Sequence, residues 1–192
     1  MSQTTLDEQL QARIEPFLGK TGPTRWSVRP IERSAVWNFC EAVEDANPVY
    51  WDEEEAARSR FGRLIAPPQA LMALNMQSWW LPEFLRERAA EQEAALGPSP
   101  TFLAHEVVRE FGFVTATNVT RDEEYLQPFG PGDGRIGQRD RLMSVSRIKK
   151  TKVGPGVFLT TEIDFLIEAK DEPIARAKNV LLLYDGTKQG KE

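Results

Sequence analysis

The sequence predicts an α+β protein in which an antiparallel sheet wraps around a long central helix. Two features predict this. Before Thr101, apolar residues recur three and four positions apart, which is the spacing of amphipathic helices. From Thr101 onward, the chain carries strand-length runs that are rich in β-branched and aromatic residues and are separated by Gly and Pro. A chain of 192 residues is long enough to bury one core of this kind.

The helical part divides at its prolines and glycines. Ser34 is the expected N-cap of one helix, and residues 52–60 form another with acidic residues in the first turn and basic ones in the last. Pro67 and Pro68 open the long helix. A charged, more exposed helix is expected over residues 83–95, and a charged helical leader over residues 4–14.

The strand-length runs lie at residues 26–28, 107–108, 111–114, 119–126, 142–151, 157–167 and 174–184. Turn signals rich in Gly and Pro separate the last three runs, which predicts an antiparallel meander. We therefore expect a leader over residues 1–22, one domain over residues 23–185 and a tail over residues 186–192.

Composition argues against several classes of protein. The formal net charge is -5, without the clustered Lys and Arg that bind nucleic acid. No run approaches the roughly 20 apolar residues of a membrane helix, and the N-terminus lacks the pattern of a signal peptide. We therefore expect a cytoplasmic protein with no nucleic-acid or membrane partner. The single cysteine, Cys40, is expected to be buried on a helix, and no Cys/His spacing predicts a metal site.

One loop carries residues suited to acid–base chemistry. Asp45 lies next to an Asn-Pro turn formed by Asn47 and Pro48, and Tyr50 follows at the fifth position after the acid. Adding water across a double bond conjugated to a thioester needs a base, a second proton-transfer group and donors for the thioester oxygen. An Asp and a His five residues apart on one loop meet the first two needs.

These residues resemble the motif of the MaoC-like, R-specific enoyl-CoA hydratase family of hot-dog proteins, roughly Gly-Asp-x-Asn-Pro-x-His. The run Ala66-Pro67-Pro68 follows at the family's spacing, and residues 125–133 resemble its Arg-Pro-Leu-x-x-Gly-Asp turn, with Gln in place of Arg. The resemblance covers residues 26–184 and is greatest to the FAS1-like dehydratase type, including degenerate subunits of steroid side-chain enoyl-CoA hydratases. It implies a hot-dog fold and an acyl-CoA substrate, and an acyl carrier protein in place of coenzyme A stays open. Coenzyme A is then part of the substrate, and no separate cofactor is expected.

Two departures from the motif concern catalysis. Glu44 stands where the motif has Gly, and Tyr50 stands where it has His. A phenol with a pKa of about 10 is a poor base at neutral pH compared with an imidazole at about 6.5. We therefore expect a vestigial loop (Asp45, Asn47, Tyr50) and no catalytic residues. The resemblance then implies a partner subunit that carries the Asp and His, in a heterodimer or heterotetramer. His105 lies far along the chain and is a weak replacement candidate.

Two groups of residues are candidates for binding the substrate. A proline and three aromatic residues could line a cavity for a bulky acyl group, steroid-derived ones included: Pro67, Trp79, Trp80 and Phe113. Core packing is the competing interpretation. A basic stretch could contact the phosphates of coenzyme A, although a solvated strand face would carry the same residues: Arg147, Lys149 and Lys150.

Other functions remain open from the sequence. The chain could be a self-sufficient (R)-3-hydroxyacyl thioester dehydratase that uses Asp45, a non-enzymatic acyl-thioester binding module, or a thioesterase on the same fold. Asp45 and Asn47 also have a purely structural interpretation, because Asx residues beside Pro close turns and cap helices.

Overall fold

The computed structural model describes residues 3–76 and 80–186. Its helices are α1 (Gln3–Ile14), α2 (Arg33–Val43), α3 (Glu53–Arg58), α4 (Leu71–Leu74), α5 (Glu83–Leu96) and α6 (Pro100–Glu110). Its strands are β1 (Arg25–Pro30), β2 (Thr115–Tyr125), β3 (Arg135–Val145), β4 (Lys149–Thr151), β5 (Gly154–Ile167) and β6 (Lys170–Tyr184). Short 3-10 turns lie at Glu15–Phe17, Pro48–Tyr50 and Pro68–Ala70. Among the described residues, no helix has the length and apolar character needed to cross a membrane.

All strand pairs of the sheet are antiparallel, in the order β1-β3-β5-β6-β2, with β4 paired to β5. The meander expected from the last strand runs is confirmed as β3, β5 and β6. Strand β2 precedes them in sequence but lies at the far edge, beside β6. The turn after β2 therefore carries the chain across the sheet to β3 and does not form a hairpin.

The helices cover the sheet in two places and form two cores. The first core joins α2 and α4 to one end of the sheet: Ile31, Val36, Cys40, Ala66, Leu71, Phe129, Ile136, Phe165, Ile167, Ile174, Ala175 and Ala177. The second core joins α1 and α6 to the other end: Leu10, Ile14, Ala104, Val107, Val108, Phe113, Leu142, Val157, Leu159 and Leu183. The predicted α+β class, helices against an antiparallel sheet, is confirmed.

Helix α6 replaces the strand predicted at residues 107–108. Ser99 is its N-cap, since the Ser99 hydroxyl accepts a hydrogen bond from the Phe102 N–H at 3.2 Å, and Pro100 follows at the first helical position. The helix buries Ala104, Val107 and Val108 on one face. The expected strand at residues 111–114 is also wrong, because that segment is the connection from α6 to β2.

Two helices also differ from prediction, one at its start and one in its length. Helix α2 begins at Arg33, and its N-cap is Glu32, without a side-chain hydrogen bond, so Ser34 is not the cap. The helix opened by Pro67 is short, consisting of one 3-10 turn and the four residues of α4. It ends at Asn75, whose side-chain amide donates to the side-chain oxygen of Gln138 on β3 at 2.9 Å.

The N-terminal leader forms the expected helix and is anchored to the sheet. Leu10 and Ile14 of α1 are fully buried in the second core. Asp7 accepts a hydrogen bond from the Ile148 N–H at 2.8 Å, and Gln11 donates to the Ser146 carbonyl at 3.0 Å. Helix α1 therefore packs on the second core and is bonded to the connection between β3 and β4.

Candidate functional site

The loop that carries Asp45 begins with a left-handed residue. Glu44 caps α2 at φ 56° and ψ 37°, and its N–H is directed at the carbonyls of Cys40 and Glu41. Glycine adopts this conformation without strain, which explains why the family motif has Gly there. With a side chain, Glu44 holds the same geometry at a cost of about 1 kcal/mol. The substitution therefore keeps the course of the loop.

The polar side chains of the loop close it on itself. The Asp45 carboxylate accepts a hydrogen bond from the Asn47 N–H at 3.0 Å, and the Asn47 side-chain oxygen accepts one from the Val49 N–H at 3.3 Å. Asn47 is thereby the N-cap of the 3-10 turn Pro48–Tyr50. These are successive Asx turns, which need no catalytic role to explain the residues that form them.

Two tryptophans that sequence reasoning missed hold the loop in place. Trp37 and Trp51 stack with ring centroids 6.1 Å apart and planes 13° apart. The Trp37 indole N–H donates to the Tyr50 carbonyl at 3.1 Å, and that of Trp51 donates to the Asp45 carbonyl at 2.7 Å. An indole N–H usually finds an acceptor when it is packed away from water, so two tryptophans flanking the loop were a usable signal.

Tyr50 occupies the position of the family's histidine. Its ring packs against the first core. Burial raises the pKa of the Tyr50 phenol, the charge of Asp45 and the Cys40 thiol raise it further, and a hydrogen bond with Asn47 opposes them. The phenol therefore stays protonated at neutral pH and cannot act there as a general base.

Cys40 lies beneath the loop, fully buried as expected. Burial raises the pKa of its thiol, and the charge of Asp45 adds to this effect. The thiolate is the nucleophilic form, so the side chain behaves as a core residue.

A shallow cavity of about 450 Å³ lies against this loop and is bordered by Cys40, Glu41, Glu44, Asp45, Ala46, Pro48, Trp51 and Asp52. Four of these residues have a carboxyl side chain. Phosphates of coenzyme A would be repelled from such a surface. The cavity beside the Asp45 loop is therefore not a phosphate site.

The second family-like segment, residues 125–133, docks beside the loop. The Ala66 N–H donates to the Phe129 carbonyl at 2.7 Å. Asp133 is buried, and one of its carboxylate oxygens accepts from the Gly130 N–H at 2.9 Å and from Arg63 at 2.6 Å. A Cβ on Gly130 would lie 2.7 Å from the Ile65 Cα, so this close approach requires glycine. The two motif segments thus meet, with Asp133 as the structural link.

The candidates for binding the acyl group are dispersed. Pro67 is buried beside Ala66 of the first core, whereas Phe113 is buried in the second core. Trp80 is 71% exposed. Trp79 lies outside the described residues. The structure does not bring Pro67 and Phe113 together, and a role of these four residues in binding an acyl group stays a prediction.

The basic stretch lies far from the loop. Lys149 and Lys150 are exposed, and Arg147 pairs with Asp7 at 3.6 Å. They follow the second-core end of β3, whereas the loop packs on the first core, where β3 begins. Strand β3 between Ile136 and Val145 spans about 30 Å at the usual rise per residue. Contact of these side chains with coenzyme A stays a prediction.

His105 lies on α6 and borders a different cavity, between that helix and the sheet, which Asp140 of β3 also lines. Burial lowers the pKa of His105, and Arg109 lowers it further, while Glu106 and Asp140 raise it. The imidazole is therefore mostly neutral at neutral pH. None of the residues that border this cavity belongs to the Asp45 loop.

Known structures define the class of fold. One chain of the ChsH1-ChsH2 complex from Mycobacterium tuberculosis superposes with a TM-score of 0.69 at 19% identity, over 95% of this chain and 91% of that one. A protein named "MaoC-like dehydratase" superposes with a TM-score of 0.53 at 18% identity, over 93% of this chain and 44% of that one. The chain therefore has the hot-dog fold of MaoC-like dehydratases, as predicted.

The family follows from the sequence. The model of the "FAS1-like, dehydratase domain region" matches residues 23–177, and the chain belongs to this family. A protein of Thermomonospora curvata named "Probable enoyl-CoA hydratase alpha subunit" is 30% identical over 155 residues, which are 80% of this chain and 46% of that protein. The chain thus spans about half the length of this relative.

Proposed function

We propose that the chain is a non-catalytic, cavity-forming subunit of a cytoplasmic heteromeric enoyl-CoA hydratase whose Asp and His belong to a second MaoC-like chain. The observation that carries the proposal is that Tyr50, with a protonated phenol, stands at the position of the family's histidine. Hydration needs a group that accepts a proton from water at neutral pH. The residue at the position of the family's histidine is a phenol whose pKa is raised.

The geometry of Asp45 supports the same conclusion. Its carboxylate closes the loop through the Asn47 N–H, and its backbone carbonyl holds the Trp51 indole. The bond from the Asn47 N–H accounts for an Asp at this position without a catalytic role. No basic side chain among the described residues forms a hydrogen bond or ion pair with Asp45, so its carboxylate would have to perform both proton transfers alone.

The relatives support a subunit role. The relative from Thermomonospora curvata is named as an alpha subunit, and one structural neighbour is part of a two-protein complex. We extend this to an acyl-CoA substrate, with coenzyme A as part of the substrate and no separate cofactor. A bulky, steroid-derived acyl group fits the proposal. The range of acyl-CoA substrates that the complex hydrates tests this part of it.

Strand β2 offers a surface for the partner. Within residues 3–76 and 80–186 it pairs with β6 alone, so its outer edge is open to pairing, and most of its residues are exposed. Val119 is 48% exposed on this strand. Met72 is 41% exposed, and its sulfur lies 3.0 Å from the Arg121 guanidinium of β2. Because an exposed edge strand invites pairing, we place the second hot-dog chain along β2.

The test is reconstitution with a MaoC-like chain that has an intact Asp-x-Asn-Pro-x-His loop and is encoded beside this one. Each chain alone and the mixture are assayed for hydration of an enoyl-CoA, and the assembly is weighed by light scattering. We expect a complex that hydrates at an ordinary enzymatic turnover, about 1–10³ s⁻¹. Val119→Arg should prevent assembly, and the matched control Leu96→Arg, on the exposed end of α5, should not.

Three outcomes separate the alternatives. Full activity of this chain alone would leave only the self-sufficient hydratase. Full activity of the partner alone, unchanged in the mixture, would remove the need for this subunit. If the chain binds an acyl thioester and no mixture hydrates it, the non-enzymatic binding module stands.

A further inference from the structure

A cavity of about 290 Å³ lies between α6 and the face of the sheet that this helix covers. We call it the α6 chamber. It is bordered by Arg25, Ser99, Thr101, Phe102, His105, Gln138, Asp140, Thr161, Ile163, Asn179 and Leu181. Eight of these eleven residues have polar side chains, although apolar atoms form most of the lining surface.

The polar side chains of the sheet come from three neighbouring strands. Thr161 of β5 pairs with Asn179 of β6, and Asp140 of β3 pairs with Ile163 of β5. Thr161 and Ile163 are two positions apart, so their side chains lie on the same face. The strand register thus places Asp140 and Asn179 on opposite flanks of β5, under α6.

Three polar atoms of the chamber are buried without a hydrogen-bond partner among the described residues: Thr101 Oγ1, Asp140 Oδ2 and Asn179 Oδ1. More than about 90% of buried polar groups in proteins have a partner, so three around one cavity indicate that something else satisfies them. The Asn179 side-chain oxygen accepts hydrogen bonds and cannot donate them, and the same holds for the Asp140 oxygen in its carboxylate form. The missing partner must therefore bring donors.

A hydroxyl group has the required chemistry. It donates to a carboxylate or amide oxygen and at the same time accepts from the Thr101 hydroxyl or the His105 ring. An ammonium group cannot accept, and a ligand carboxylate would face Asp140. A purely hydrocarbon group would leave all three buried atoms unsatisfied, which disfavours its binding.

An outer cleft adjoins the chamber. This cleft, of about 500 Å³, shares Arg25, Ser99, Phe102, Gln138 and Asp140 with it. The cleft is further bordered by the end of α5 and the turn before α6, at Glu93, Ala94, Gly97 and Pro98. We therefore expect a ligand to reach the inner polar atoms from this cleft.

We infer that the α6 chamber binds the hydroxyl-bearing end of an acyl group, with the Asn179 side-chain oxygen accepting the one hydrogen bond that the hydroxyl donates and the Thr101 hydroxyl donating one to it. The inference rests on the proposed function in one respect, that the ligand is the acyl group of a thioester. It adds the chemical class, an oxygenated acyl group, and a binding place distinct from the Asp45 loop.

The test is calorimetric titration of the full chain, and of its complex with the catalytic partner, with two series of thioesters. One series is the saturated acyl-CoA from hexanoyl to dodecanoyl, and the other has the same chain lengths with an ω-hydroxyl. We expect the hydroxylated member to bind about tenfold more tightly at one or more lengths, the effect of satisfying a buried acceptor.

Two variants and a control locate the effect. Asn179→Leu removes one acceptor, and Thr101→Val removes the hydroxyl of α6 with almost no change of shape. Both should reduce the preference for the hydroxylated thioester. Asn38→Leu, the same substitution at an exposed position of α2, should leave it unchanged. Thermal unfolding of each variant establishes that it is folded.

The outcomes separate the two proposals. If both series bind equally, or if the preference survives in both variants, the chamber holds only water and the inference is wrong, while the proposed function stands. If no thioester binds to the chain or to its complex, both proposals fail. A preference that disappears in the two variants and persists in the control supports the inference.

Discussion

Replacement of Asp45 by Ala distinguishes a structural from a catalytic loop. In the structure, the Asp45 side chain makes one hydrogen bond, to the Asn47 N–H at 3.0 Å, and the loop around it is partly exposed. Loss of such a bond costs about 1 kcal/mol. In a domain of this size, that corresponds to a fall of about 2–4 °C in Tm.

Asp45→Asn keeps an oxygen at the accepting position. It also removes one carboxyl group from a surface that carries Glu41, Glu44 and Asp52. The hydrogen bond and the loop geometry are then preserved, and we expect the Tm to stay within about 2 °C of wild type. Asp52→Ala is the matched control, because Asp52 caps α3 by accepting from two backbone N–H groups, at a cost of about 1 kcal/mol when removed.

The assay is hydration by the complex that contains the partner chain. If Asp45 only shapes the loop, the kcat of Asp45→Ala and of Asp45→Asn should remain within about threefold of wild type, like that of Asp52→Ala. A general acid or base contributes about 10²–10⁴-fold. A fall of that size in both Asp45 variants, with Asp52→Ala unaffected, would refute the structural interpretation.

Three further predictions address the site and its support. In a spectrophotometric titration, the absorbance change that Tyr50→Phe removes should occur at a higher pH than that of free tyrosine, because the pKa of the Tyr50 phenol is raised in the folded state. The protonated phenol therefore contributes stability that is present below about pH 10 and is lost at higher pH. A change at or below the free value would contradict this. In urea, Asp133→Ala should lower the free energy of unfolding by about 2–3 kcal/mol, since the buried Gly130 N–H and Arg63 lose their acceptor, whereas Glu168→Ala at an exposed ion pair should cost under about 1 kcal/mol. Equal losses of unfolding free energy in the two variants would argue against Asp133 as the link between the two motif segments. Leu10→Ala should cost about 2–5 kcal/mol as a fully buried leucine, and Leu96→Ala, which is 44% exposed, much less; a small loss at Leu10 would mean that α1 is not part of the core.

The loop was predictable because its chemistry is local. Asn47 and Pro48 specify a turn that depends on neighbouring residues only, and the structure contains that turn. The left-handed conformation of Glu44 was not predictable from the residue itself, because a glutamate rarely adopts it. The tryptophan stacking joins residues on either side of the loop and depends on how α2 ends.

Helix α6 was missed because its apolar residues resemble a strand. Val107 and Val108 are adjacent and β-branched, and their burial depends on the second core, which forms only when α1 and the sheet are in place. The Ser99-Pro100 pair was a local helix-start signal that outweighed them in the folded chain.

The α6 chamber could not be predicted from the sequence. Asp140, Thr161 and Asn179 are far apart along the chain, and only the register of β3, β5 and β6 brings them under one helix. A shift of one residue in any pairing would turn these side chains to the other face.

The most direct measurement of the central claim is the rate at which the purified chain alone hydrates an enoyl-CoA at neutral pH. With a protonated phenol at the position of the catalytic histidine, the rate should equal that of buffer and should rise only when the partner chain is added. A turnover of about 1–10³ s⁻¹ by the chain alone would contradict the claim that the catalytic pair lies on another subunit.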